Sequence, residues 1–312
     1  MKIRLGYVAL SKALENTTTS RTMTYTNFVK EQKPYEQLCM IIKSNLNDLK
    51  KILIYNSKNN IHFYRLTSKL IPLATHNQVH YDYIIPFKKQ FQRLSQLIQK
   101  TQIRMDTHPD QFAVLNSVHK SIVQNTIEVL QYHYQILDAL QTILIHIGGN
   151  TFGKDKSISR FINNFKNLPD YLKKTIAIEN DDKIFTAKDV LYIAKQLDIP
   201  MVFDYHHFIC NHDENERFED YIKEIFQTWK QETPKIHFSS PKSKLKKEFR
   251  SHHDYINSDS FIKFIEKIKF LNRDFDVMIE AKAKDDALFR LVRELKYKTN
   301  YKFIDETTFE IR

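Results

Sequence analysis

Histidines and carboxylates recur along this chain, each close to the end of a short apolar run. Seven of them fall at six successive runs: His108, His146, Glu179, Asp204, His207, His237 and Glu280. A single histidine in such a place is commonly a packing residue, so the argument depends on the succession. Imidazole mixed with carboxylate, without thiolate, suits Mn²⁺, Zn²⁺ or Fe²⁺, whereas Mg²⁺ and Ca²⁺ prefer oxygen ligands. The pattern therefore predicts a metal centre.

The number of candidate ligands exceeds what one ion can take. Open positions are also needed for water and substrate, so seven or eight ligands indicate a cluster of two or three ions. Such clusters stabilise the attacking and the leaving oxygen of an in-line phosphoryl displacement. The chain carries 48 Lys and Arg against 37 Asp and Glu, a formal charge of +11, which favours a polyanionic partner. Together these features predict hydrolysis of nucleic acid.

Composition excludes several other classes. With only four glycines in 312 residues, neither a dinucleotide-binding glycine loop nor a phosphate-binding P-loop motif can be written anywhere in the chain. The two cysteines, Cys39 and Cys210, form no C-x-x-C pattern, which argues against a disulfide framework or a thiolate zinc site. No signal peptide or membrane-spanning run is recognisable. We expect a protein of the cytoplasm.

Eight β-branched and aromatic runs alternate with eight amphipathic segments. The predicted strands are 2–8, 61–66, 102–106, 142–147, 175–180, 200–205, 234–239 and 275–281. The predicted helices are 35–56, 85–99, 119–140, 156–174, 186–197, 214–231, 258–272 and 284–297. This alternation predicts a single parallel (β/α)8 TIM barrel over residues 1–312, with a doubly wound open sheet as the competing fold. In a barrel the candidate ligands would all lie at the catalytic end.

Motifs along nearly the whole chain resemble the UV damage endonuclease family, which is related to the metal-dependent apurinic-site endonucleases. The matching pieces are RLGYV at 4–8, SRTMT at 20–24, HFYRLTSKLIPLATH at 62–76, DTHPDQF at 106–112, HIGG at 146–149, IENDD at 178–182, FDYHH at 203–207, KIHFSS at 235–240, HHDYI at 252–256 and MIEAK at 278–282. Their order and spacing together are highly specific.

The resemblance implies metal-ligand roles for the seven residues named above. It also implies an eighth ligand, a histidine that precedes an acidic residue followed by tyrosine. HHDYI offers His252 and His253; we assign His252, three residues before Tyr255, and expect His206 to point away from the metals. Glu179 and Glu280 are expected to hold the ions that carry catalysis. The resemblance also implies that Lys235, which strand alternation turns inward with His237, is carboxylated; contact with a substrate phosphate is the alternative.

Damage recognition is implied by further matches. Gln111 and Phe112 match a family Gln-Tyr pair that probes the duplex, and an aromatic wedge can stack on neighbouring bases. Tyr7 and His76 match a tyrosine and a histidine of the damage pocket, whereas Ser11 replaces the usual Asn. Extruding a damaged dinucleotide costs less than extruding normal bases, which favours damage over intact DNA.

The expected function is metal-dependent cleavage of double-stranded DNA immediately 5′ to UV photoproducts by a monomer, with Mn²⁺ as the first choice of metal. The longest basic loop, residues 240–256, is expected to bind flanking phosphates through Lys242, Lys244, Lys246, Lys247 and Arg250. An apurinic-site endonuclease, a sugar isomerase and a catalytically silent DNA-binding barrel are the alternatives. A sugar isomerase would not require a Gln-Phe wedge or a basic loop at the mouth of the barrel.

Overall fold

The computed structural model describes residues 1–136 and 142–312 and contains a closed parallel barrel. Its strands are β1 (Lys2–Val8), β2 (Phe63–Leu66), β3 (Arg104–Thr107), β4 (Thr142–His146), β5 (Ile176–Glu179), β6 (Met201–Asp204), β7 (Lys235–Phe238) and β8 (Phe275–Ile279). Each strand pairs with the next, and β1 pairs with both β8 and β2. The predicted (β/α)8 fold and all eight predicted strands are confirmed.

Helices cover the outside of the barrel. They are α1 (Tyr25–Lys30), α2 (Pro34–Lys58), α3 (Lys88–Thr101), α4 (Lys120–Ile136), α5 (Lys154–Lys166), α6 (Asp170–Lys173), α7 (Ala187–Leu197), α8 (Tyr205–Cys210), α9 (Ile222–Gln227), α10 (Ser258–Ile268) and α11 (Asp285–Lys298). The end of the helix predicted over 119–140 lies outside the described residues. No helix in the described ranges combines the length and apolar character needed to cross a membrane.

Two short strands that the sequence patterns did not predict extend the sheet beside β1. They are β9 (Lys302–Phe303) and β10 (Thr308–Glu310), and β10 runs antiparallel to the start of β1, with Lys2 opposite Glu310. The start of β1 therefore pairs with β10, and its end pairs with β2. This one sheet involves residues from both ends of the chain; its organisation as one domain stays a prediction.

The interior of the barrel is unusually rich in charge for a fold whose interior is dominated by Val, Ile and Leu. At the end opposite the strands' carboxyl termini, Asp276 accepts hydrogen bonds from Arg4 (2.6 Å) and Arg104 (2.6 Å). A small apolar cluster lies nearby and consists of Leu144, Ala177, Val202 and Trp229. The first three precede a candidate ligand by two residues and so share its face of the sheet.

Gly6 allows β1 to approach β2. A Cβ atom at Gly6 would lie 2.2 Å from the backbone oxygen of Phe63. We predict that Gly6→Ala lowers the free energy of unfolding by about 2 kcal/mol or more, because the strands must move apart. Gly149→Ala is the control, since nothing lies within 4 Å of its Cβ position. Urea denaturation checks this, and equal stability of the two variants would contradict it.

Candidate metal centre

The carboxyl ends of six neighbouring strands bring the predicted ligands into one ring. His146, Glu179 and Asp204 are the last residues of β4, β5 and β6, while His108 and Glu280 directly follow β3 and β8. The remaining members are His237 within β7, His207 in α8 and His252 in the loop between β7 and α10. Parallel strands place all their carboxyl ends at one mouth of the barrel. All eight predicted ligands therefore lie at this mouth.

Three overlapping groups of ligand atoms lie within this ring, and the atoms of each group are within 4.8 Å of one another. The groups are His108, His146 and Glu179; Glu179, Asp204 and His207; and Asp204, His237 and Glu280. Glu179 belongs to the first two groups and Asp204 to the last two. Shared carboxylates are what a multinuclear cluster needs, because each carboxylate has two oxygens with which to bridge ions.

Glu179 lies at the centre of the ring and is almost completely buried. Its Oε2 is 3.4 Å from Nε2 of His108 and 4.0 Å from Nε2 of His146. Its Oε1 is 2.7 Å from Nδ1 of His237 and 3.6 Å from Nδ1 of His207. One carboxylate thus contacts or approaches four imidazoles from four different segments of the chain.

Main-chain carbonyl groups orient two of the histidines. Nδ1 of His108 donates to the carbonyl oxygen of Pro109 (2.9 Å), and Nδ1 of His207 donates to that of Asn180 (2.8 Å). In its neutral form, a histidine whose Nδ1 proton is bound in this way presents the lone pair of Nε2. Metal-ligating histidines characteristically have such a partner on the second ring nitrogen.

Burial keeps most of the imidazoles neutral, which is the form that binds metal. It lowers the pKa of His108 to about 4 and the pKa of His146 well below its ordinary value. Burial, assisted by the positive charge of Arg65, also places the pKa of His237 well below normal. Burial acts in the same direction on His207, but Asp204 and Glu179 outweigh it and raise its pKa to about 9.

Several buried polar atoms in the ring lack a hydrogen-bond partner among the described residues. They are Glu179 Oε2, Asp204 Oδ2 and His146 Nδ1. Burying an unpaired carboxylate oxygen is costly unless a cation or a donor satisfies it. The donor set, its overlap and these free atoms therefore fit divalent metal ions.

The structure distinguishes the two adjacent histidines of the HHDYI motif. Nδ1 of His252 is 3.8 Å from Oε2 of Glu280. His253 is exposed, and its Nδ1 accepts a hydrogen bond from the backbone of Tyr255 (2.9 Å). His206 is fully buried beside the His252 ring, at a centroid distance of 5.4 Å, and neither of these two histidines belongs to the three ligand groups.

Lys235 is completely buried beneath the ring. Its Nζ donates to Oδ2 of Asp106 (3.1 Å) and lies 5.4 Å and 5.6 Å from the ring centroids of Phe63 and Trp229. Burial lowers its pKa to about 8. This position leaves no exposed surface for contact with a DNA phosphate. Its carboxylation stays a prediction.

Two buried residues that the sequence analysis did not single out support the ring. Asn180 joins the ends of β5 and β6, because its Nδ2 donates to the Asp204 carbonyl (2.9 Å) and its Oδ1 accepts from the Asp204 N–H (2.9 Å). Arg65 of β2 donates to Glu280 (2.5 Å) and lies under the ring. The sequence contained a signal for each of these two residues. Asn180 directly follows the candidate ligand Glu179, and the alternation of side chains along β2 turns Arg65 toward the inside of the barrel.

The residues expected in a damage pocket differ in their surroundings. Tyr7 is fully buried on the helix-facing side of β1, donates to Oδ1 of Asn56 (2.7 Å) and packs against Tyr64. This burial does not fit the expected contact of Tyr7 with DNA. His76 is partly exposed and stacks on Tyr25 at a centroid distance of 4.6 Å. Ser11 is buried and donates to Asp285 (2.5 Å).

The expected wedge and basic loop are on the surface. Gln111 is exposed, and 80% of Phe112 is accessible. In the basic loop Lys242 pairs with Glu248 and Arg250 with Asp182. The other three lysines are exposed and form no ion pair in the part of the chain that the structure describes; they are Lys244, Lys246 and Lys247.

The fold and the site define a (β/α)8 barrel with a histidine–carboxylate centre at its mouth. The sequence profile of the family described as UV-endonuclease UvdE matches residues 3–310, and the chain belongs to this family. A UV DNA damage endonuclease of Bacillus cereus (strain B4264) is 42% identical over 304 residues, covering 95% of each chain.

Solved structures agree with this assignment. The crystal structure of SacUVDE superposes with a TM-score of 0.85 at 32% identity, over 95% of this chain and 98% of the other. Endonuclease IV from Thermus thermophilus has a TM-score of 0.58 at 9% identity, over 95% and 100% of the two chains. The second likeness shows a common fold and nothing more.

The position of His252 gives a prediction about metal affinity. His252→Ala removes an imidazole that faces Glu280, so we expect the weakest Mn²⁺ binding step to weaken at least about tenfold, or ~1.4 kcal/mol. His253→Ala is the matched control and should leave the affinity unchanged. Calorimetric titration with Mn²⁺ measures both variants. A loss confined to His253→Ala would reverse the assignment.

Proposed function

We propose that this protein is a metal-dependent UV DNA damage endonuclease. It would hydrolyse the DNA backbone immediately 5′ to cyclobutane pyrimidine dimers and 6-4 photoproducts, leave a 3′-hydroxyl and a 5′-phosphate, and so begin excision repair. The observation that carries the proposal is the set of three ligand groups linked through Glu179 and Asp204, in a chain of the UvdE family. We further propose that it acts as a monomer on double-stranded DNA in the cytoplasm, at the nucleoid.

The residues of the ring have distinct tasks in this proposal. Glu179 and Asp204 would each contribute to two metal positions, and the five histidines with Glu280 would complete them. When bound, divalent ions supply the positive charge that stabilises the attacking and leaving oxygens of a phosphoryl displacement. Mn²⁺ is the first choice, with Zn²⁺ and Fe²⁺ as alternatives of the same ligand preference.

Lys235 is proposed as a carboxylated lysine. The ammonium group would first lose one proton, and the neutral amine nitrogen would then bond to the carbon of CO₂ and lose a second proton. The two steps together convert a cationic side chain into an anionic carbamate. Such a change would add negative charge beneath a ring that must hold several divalent ions. The ion pair of Lys235 with Asp106 is the competing arrangement, and mass spectrometry of the intact protein distinguishes them.

Recognition of damage is assigned to the surface loops. The exposed ring of Phe112 supports its role as a wedge, together with Gln111, because it can enter the duplex without rearrangement of the core. The three exposed lysines of the basic loop support a role in binding flanking phosphates. His76 remains a candidate for the damage pocket, while the burial of Tyr7 favours packing over contact with DNA.

Plasmid nicking tests the function directly. Purified protein with Mn²⁺ is incubated with supercoiled plasmid that is irradiated, untreated or depurinated. We predict nicking only after irradiation, with ends that a polymerase extends without further processing because they carry 3′-hydroxyls. Cleavage confined to depurinated plasmid would select an apurinic-site endonuclease, and interconversion of sugars without any nicking would select an isomerase.

Glu179 should be essential for cleavage but not for binding. We predict that Glu179→Gln lowers the nicking rate at least about 10³-fold, or ~4 kcal/mol, because the carboxylate shared by two ligand groups is lost. Its affinity for irradiated DNA in a gel-shift assay should stay within about threefold of the original protein. The exposed Glu232→Gln is the matched control. Unaltered nicking by Glu179→Gln would refute the metal assignment.

A further inference from the structure

Strand β2 contributes a cation, and no ligand, to the ring. Arg65 is 5% exposed, and its guanidinium donates from Nη1 to Oε1 of Glu280 and from Nη2 to Nε2 of His237, both at 2.5 Å. Its Nε lies 3.4 Å from Oδ1 of Asp106. Arg65 therefore contacts two of the three members of the ligand group that also contains Asp204.

The two nitrogens of the His237 ring are both engaged. Nε2 accepts from Arg65, and Nδ1 lies 2.7 Å from Oε1 of Glu179, to which it donates. A neutral imidazole has one donor and one acceptor nitrogen, and a guanidinium has only donors. The hydrogen bond from Arg65 thus requires the lone pair of Nε2 and a proton on Nδ1.

A metal ion on His237 is incompatible with this hydrogen bond. An ion at Nε2 would need the lone pair that Arg65 uses. An ion at Nδ1 would require the ring proton to be on Nε2, where it would face the N–H of Arg65. Either arrangement breaks the contact between Arg65 and His237. The Glu280 oxygen that Arg65 contacts, Oε1, is also the oxygen that lies 3.3 Å from Nδ1 of His237, whereas Oε2 faces His252.

We propose that Arg65 competes with metal for the position formed by Asp204, His237 and Glu280, so that this position binds its ion most weakly and fills last. The inference rests on the proposed metal-dependent function. An ion bound there would displace Arg65 from His237 and compete with it for Oε1 of Glu280, while the contact of Arg65 with Asp106 would remain. Its positive charge beside the position adds repulsion to the competition. Arg65 is accordingly a positioning residue that sets the order of metal binding.

The test is a Mn²⁺ titration of Arg65→Met, followed by calorimetry and by electron paramagnetic resonance of the bound ions. The methionine side chain keeps much of the volume but removes both the charge and the donors. We expect the weakest binding step to tighten at least about tenfold. The readout is metal affinity, so it does not depend on nuclease activity.

Arg104→Met is the matched control, because Arg104 is also buried in the barrel but donates to Asp276 (2.6 Å) and the Thr233 carbonyl (2.8 Å), away from the ligands. It should lose stability and leave the weakest step unchanged. If Arg65→Met does not fold, Arg65→Lys replaces it: lysine keeps the charge but cannot donate to Glu280 and His237 together, and a smaller gain in affinity is expected.

The outcomes separate this inference from the proposed function. An unchanged or weaker last step in the Arg65 variants, with Mn²⁺ bound normally by the original protein, overturns the role of Arg65 alone. Equal affinity of all positions in the original protein also overturns it. A protein that binds no Mn²⁺ at all refutes the metal-dependent function and this inference together.

Discussion

The burial of four carboxylates at and just below the mouth of the barrel is the constraint on which the rest of this structure depends. Asp106, Glu179 and Asp204 are essentially inaccessible, and the Glu280 side chain is 15% exposed. Burial raises the pKa of Glu179 well above its ordinary value. The ionised form of these carboxylates therefore needs balancing charge, because isolated buried charges are far too costly. Arg65 and an unmodified Lys235 balance only half of the negative charge, and carboxylation of Lys235 would leave Arg65 alone. The histidines around Glu179 are mostly neutral, so the remaining charge calls for ions of a kind that imidazole and carboxylate both bind.

The fold meets this constraint by geometry. Closing the sheet brings the carboxyl ends of β3 to β8 to one mouth, where side chains from distant parts of the chain converge. Below the mouth, positive and negative groups alternate from Glu280 through Arg65 and Asp106 to Lys235. The same interior that supports the ligands is therefore held together by ion pairs, in addition to apolar packing around Trp229.

The barrel fold and most of the candidate ligands could be predicted from sequence, because the periodicity and the ends of strands are local signals. The succession of ligand-type residues from His108 to Glu280 followed from the eight apolar runs alone. The choice between His252 and His253 depends on the path of a long loop, which residue spacing does not reveal. The prediction of His252 therefore came from the family resemblance. Short strands such as β9 and β10 carry too few residues to show a period.

The residues whose surroundings sequence reasoning did not predict are those whose role depends on distant partners. Arg65 acquires its partners from β3, β7 and β8, which no pattern around residue 65 reveals. Tyr7 matched a family position, yet strand alternation puts it on the outer face with Ile3 and Leu5, whereas Arg4 points inward to Asp276. Asn180 needed the pairing of β5 with β6 before its two hydrogen bonds could be recognised.

The central claim is that divalent ions at the barrel mouth balance the buried carboxylates. Anomalous diffraction from crystals grown with manganese tests it most directly. The account predicts at least two strong peaks between the ends of β3 and β8, one of them in contact with Glu179. A mouth without anomalous peaks, or manganese bound only elsewhere on the molecule, would contradict it.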